Sequence, residues 1–125
     1  MPEKDRAPDS VRYFQVDALG LEFMRNTYTA QYRKGDAVVD VLLSRQDSAE
    51  SAQATVGRYA ESAAKYGKGA EKLTVEGKEF LVCDMGDAFD VVFQKGRLVG
   101  GVTAAKDRAK AVEASAEFCR QLREE

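Results

Sequence analysis

The chain has 125 residues, 44% of them hydrophobic and 32% charged, the size and make-up of one domain able to bury a core without disulfide or metal staples. Its net charge of −2 comes from 19 basic and 21 acidic residues spread along the sequence, which argues against nucleic acid as a partner, because such domains carry a clustered basic face. No run reaches the roughly 20 apolar residues a membrane-spanning helix needs, and the lack of any histidine removes serine–histidine triads, cysteine–histidine dyads and histidine metal sites.

In chain order, residues 1–10 hold both prolines, Pro2 and Pro8, among charged residues and read as a disordered lead-in. The domain proper is expected over residues 11–123. Nothing at the start resembles a signal peptide. A cytoplasmic protein with a natural Met1 and an exported protein whose signal has been cut away fit equally well. Val11–Val16 predicts an edge strand, and Asp17–Phe23 a short helical turn.

Thr29–Tyr32, the turn Lys34-Gly35-Asp36 and Val38–Leu43 predict a hairpin. Asp47, with Glu50 three residues on, has the spacing of a capping box. The stripe Ala52, Val56, Tyr59, Ala60 and Ala63 then predicts an amphipathic helix, which Gly67 ends by supplying a left-handed residue. Four short strands follow, Leu73–Val75, Phe80–Cys83, Phe89–Phe93 and Arg97–Val102, separated by Gly77, Gly86 and Gly96. Connections this short permit only antiparallel neighbours. Asp107 caps a second helix whose buried face is expected to be Ala111, Val112, Ser115, Phe118, Cys119 and Leu122.

An internal echo joins the two halves. Tyr32-Arg33-Lys34-Gly35-Asp36-Ala37-Val38 aligns with Phe93-Gln94-Lys95-Gly96-Arg97-Leu98-Val99, and Val41 with Val102. With one residue dropped, Asp47 falls on Asp107. The expected fold is therefore α+β: an antiparallel sheet of about six to seven strands with two long helices packed on one face, as a pseudo-twofold repeat of hairpin plus helix.

Tyr28 and Tyr32 ahead of a turn, Ser48 and Ala52 at a helix start, a glycine closing that helix, and the Phe93–x–Lys95–Gly96 hairpin together resemble a family of uncharacterised bacterial proteins, mostly exported or lipid-anchored, that share a domain of unknown function. The likeness spans residues 28–104 and rests on turns and core positions. It implies an extracytoplasmic location, periplasmic or lipid-anchored, and brings no catalytic residues.

Candidate sites are few. No GxxxxGK[ST], GxGxxG or GxSxG occurs, so the common phosphate cradles and the nucleophile elbow are missing, and no cofactor is expected. Asp84, Asp87 and Asp90 form the densest acidic group and the one candidate metal site, although Asp87 as a turn residue with the others on strand faces accounts for them as well. Gly100 and Gly101 interrupt a strand. They either let the sheet curl under a helix or open a groove, with Val92 and Tyr32 as neighbours, for a small ligand. Tyr28 and Tyr32 lie four apart on one strand face, as core or as pocket lining. Cys83 and Cys119 are too far apart for a CxxC pair and are either two buried thiols or a disulfide.

The function these absences favour is a non-enzymatic binding module for a partner protein or a small apolar ligand, as a monomer or homodimer. The alternatives are self-assembly through strand edges and a carboxylate- or divalent-metal-dependent enzyme.

Overall fold

A computed structural model describes Arg6, Arg12–Phe14, residues 27–34 and residues 37–122. The expected turn over Asp17–Phe23 lies outside the described residues, as do Gly35 and Asp36. Among the described residues seven strands and two helices succeed one another as β1 (Arg12–Phe14), β2 (Thr27–Lys34), β3 (Ala37–Arg45), α1 (Ala49–Tyr66), β4 (Gly69–Val75), β5 (Lys78–Asp84), β6 (Phe89–Lys95), β7 (Leu98–Ala105) and α2 (Arg108–Gln121). The strands form a single antiparallel sheet in the order β1-β2-β3-β7-β6-β5-β4. From the centre of this sheet α1 carries the chain to the far edge, and the meander β4–β7 brings it back to pair with β3. At the opposite edge Arg6 forms an isolated bridge with Tyr32, so one residue of the expected lead-in lies on the sheet.

The α+β fold with one antiparallel sheet and two long helices is the expected one, but the helices do not share a face. Side chains alternate across a strand, and successive residues of β6 join different cores. Val91 and Phe93 pack with Val41, Phe80, Val82, Val102 and the α2 residues Ala111, Ala116, Phe118 and Cys119. Val92 packs with Leu42, Leu81, Val99 and the α1 residues Ala52, Tyr59 and Ala63. One helix therefore covers each side, giving the sheet an α1 face and an α2 face.

The internal repeat is accordingly half realised. Val41 and Val102, equivalent in the echo, pair directly across the β3–β7 seam, as they must if a local twofold runs through them. Their equivalent aromatics Tyr32 and Phe93 both pack on Phe118, each with a centroid separation of 6.1 Å. A twofold relating two neighbouring antiparallel strands stands perpendicular to the sheet and preserves its faces, so helices on opposite faces break the symmetry after the hairpins. A bulge in β7 accompanies the break. Thr103 and Ala104 together oppose Asp90, because the register steps from Phe89↔Ala105 to Val91↔Val102. One extra residue inverts the phase of every position after it, so that Ala105 packs beside Phe89 on the α2 core.

Local signals are met with two adjustments. Asp107 caps α2 by accepting from the Lys110 N–H at 3.0 Å. For α1 the cap is Ser48, accepting from the Ser51 N–H at 3.0 Å, in place of Asp47, because the helix begins one residue later than the capping-box spacing implied. Gly67 ends α1 with φ −116°, not in the left-handed region. Its need is space, since a Cβ there would lie 2.6 Å from the Asp84 carbonyl oxygen. At the other end of α2 the Lys95 ammonium donates to the carbonyls of Cys119 and Leu122, placing a cation on the negative end of the helix dipole.

Candidate binding groove

On the α1 face, helix α1 seats Ala52, Thr55, Tyr59 and Ala63 fully against the sheet. The neighbouring stripe Gln53, Val56, Gly57 and Ala60 faces sideways, toward the strands that lead to the β4 edge. Two of these, Val56 and Ala60, were expected in the buried stripe and are only half-buried. Between this flank and the sheet lies a cavity of about 290 Å³, lined from the helix by Gln53, Val56, Gly57 and Ala60 and from the strands mainly by Lys72, Glu79, Leu81, Val92 and Gln94.

Its shape arises from small residues on the helix. A Cβ built on Gly57 meets nothing within 4 Å. Glycine inside a helix costs about 0.5–1 kcal/mol against alanine, and here that cost coincides with an open wall. Leu81, with the fully buried Val92 behind it, gives an apolar floor. Gln94 is held at the helix start, its amide donating to the Ala49 carbonyl at 2.7 Å. At the mouth, the exposed Lys72 and Glu79 form a diagonal cross-strand ion pair of 3.6 Å. The site thus has an apolar base, an amide wall and a charged rim, and its volume falls just below the 300–1,000 Å³ range of drug-sized ligand sites. One side chain or small fragment fits it.

A polar constellation lies deeper under the same helix. The Tyr59 hydroxyl donates to the Asp90 carboxylate at 2.6 Å, and the other Asp90 oxygen accepts from the Ala104 N–H at 2.8 Å. Ala104 has φ 57°, the left-handed region, so Asp90 holds the bulge residue and fastens helix to strand at once. Burial, and then the charge of Asp90, push the Tyr59 phenol above its ordinary value. The same two causes push the neighbouring Cys83 thiol up to about 12. Cys119 is raised as well, by burial. Protonated, buried thiols are poor nucleophiles, and the arrangement ties elements together without presenting a reactive group.

The sequence candidates are dispersed. Val92 lies in the groove floor. Tyr32 is buried on the α2 face, only 7% exposed, and Tyr28, on the same strand face as expected, is 43% exposed at the other end of β2. Neither Gly100 nor Gly101 lines the groove beside α1. A Cβ on Gly100 would strike the Phe93 ring at 2.6 Å and one on Gly101 the Val91 carbonyl oxygen at 2.2 Å, so these glycines admit close packing on either side of the sheet. Asp84 accepts from the Gly86 N–H in its turn at 2.9 Å, Asp87 is exposed in the same turn, and Asp90 is held by Tyr59 and Ala104. Among the described residues no three His, Cys, Asp or Glu side chains converge on a point where a metal could sit. Cys83 and Cys119 are both free thiols and belong to opposite faces, which excludes the disulfide between sheet and helix.

The groove residues other than Val92 escaped the sequence reading, although a glycine in the middle of an otherwise regular helix was the signal available for them. No protein-family model, no curated protein and no solved structure matches this chain.

Proposed function

We propose that the domain is a non-enzymatic binding module whose site is the groove between the α1 flank and strands β4–β6. The observation that carries this reading is Gly57, a residue that weakens its helix and whose missing side chain leaves the cavity wall open above Leu81 and Val92. The protonated, enclosed state of both thiols and the structural employment of Asp90 support binding over catalysis.

The test is a titration of ¹⁵N-labelled protein with a panel of small aliphatic and aromatic amides. Amide shifts are expected to move at Val56, Gly57, Ala60 and Val92 and to stay fixed in Gly57→Leu, a variant that keeps the helix and fills the space. Shifts that scatter over the surface, or that survive in Gly57→Leu, would contradict the reading.

A further inference from the structure

Lys72 at the groove's rim belongs to β4, an edge strand of the sheet among the described residues, and the geometry of that edge identifies what can enter. Strand β4 pairs on one side with β5, in a register running from Gly69↔Asp84 to Val75↔Lys78. Among the described residues nothing pairs with its other side. The β4–β5 hairpin closes through two residues, Glu76 and Gly77, both at positive φ, 52° and 79°, the signature of a type I′ turn. In such a hairpin the pair flanking the turn exchanges both backbone hydrogen bonds, and residues alternate from there. Val75, Leu73 and Glu71 therefore spend their backbone groups on β5. Thr74, Lys72 and Ala70 turn their N–H and C=O groups outward. The side chains of these same three residues lie on the α1 face, because Lys72 pairs with Leu81 and Ala70 with Cys83, both of that face.

We infer that the occupant is an extended peptide of a partner protein, which adds to the sheet as an eighth strand along β4 and sets one apolar side chain into the cavity beside Gly57. The inference rests on the groove reading and specifies its ligand. Backbone groups of Ala70, Lys72 and Thr74 supply the sequence-tolerant part of recognition, and the cavity of about 290 Å³ selects one side chain, the division of labour of strand addition generally. A second copy of this chain fits the edge poorly. The twofold register that pairs all seven residues is centred on Lys72, the middle of Gly69–Val75, and sets that ammonium opposite its own copy, a repulsive cross-strand pair.

The experiment selects a displayed library of random twelve-residue peptides on the immobilised full chain and measures the winners by calorimetry against four proteins. Thr74→Pro removes one outward N–H and no hydrogen bond inside the sheet, and proline is tolerated on an edge strand. Thr74→Ala keeps that N–H, and Gly57→Leu fills the cavity. Peptides with a shared apolar position are expected to bind the wild type and Thr74→Ala alike. They should weaken about tenfold or more on Thr74→Pro, the size of one lost hydrogen bond, and likewise on Gly57→Leu. Binding unchanged by Thr74→Pro, or a library that yields no binder, overturns strand addition. If the small amides of the preceding test still move Gly57 and Val92 in that case, the groove stands and only its peptide ligand falls. If they do not, both fall. A dimer in sedimentation that Thr74→Pro dissolves would also overturn the inference, by assigning the edge to self-pairing.

Discussion

Ser115 is fully buried on α2, and its hydroxyl finds no hydrogen-bond partner among the described residues. A buried hydroxyl without a partner costs about 1–3 kcal/mol, and alanine is also the better helix former. Ser115→Ala should therefore raise stability by about 1 kcal/mol in denaturant titration, where most core substitutions lower it. Tyr59 is the opposite case. Tyr59→Phe takes away a hydrogen bond to a carboxylate, worth about 1.5–3 kcal/mol, and should destabilise by about that amount. The buried acids also fix an alkaline limit. Cys83 is raised from 9.0 to about 12 and Tyr59 is raised too, so with rising pH the unfolded chain loses these protons first. The folded state then holds more protons than the unfolded one, and stability falls as pH increases. Below about pH 9 Cys83 contributes no slope, between 9 and 12 stability should decline, and Cys83→Ala should make that decline shallower in melts taken across the window.

Among the elements, the helices illustrate how a local sequence signal succeeds and where it stops. Asp107 as a cap and the α2 stripe were legible, because capping and periodicity act within a few residues. The cap of α1 shifted to Ser48 because two adjacent residues can each accept from the first turn. Gly67 has the local pattern of a left-handed stop, whereas its role is set by the backbone of Asp84, seventeen positions away, which no local pattern contains. Gly57 was visible and carried no weight, since a glycine's purpose depends on what stands opposite it. With open space at its Cβ position, Gly57→Ala should stabilise α1 and the domain by about 0.5–1 kcal/mol, read as a higher denaturation midpoint. The cation at the end of α2 gives the converse expectation. Lys95→Met keeps the length of the side chain but loses the bonds to Cys119 and Leu122, and should cost about 1 kcal/mol.

For the whole molecule, the antiparallel α+β sheet was readable from glycine turns too short for parallel crossovers, and the hairpin echo from the aligned pairs Tyr32/Phe93 and Val41/Val102. The side of the sheet each helix takes was not, because it depends on the path of the few residues between each strand and its helix cap and on a bulge at Ala104, none of which a local pattern marks. That placement is what the groove and its edge depend on, since α1, alone on its face among the described residues, leaves room between its flank and β4. The most direct measurement is a set of methyl and aromatic NOEs from the adjacent residues Val91 and Val92. Val92 is expected to show contacts to α1 residues such as Ala52 and Tyr59, and Val91 to α2 residues such as Ala116 and Phe118, with neither touching the other's helix. Contacts from both valines' faces to one and the same helix, or from Val92 to Phe118, would contradict that placement.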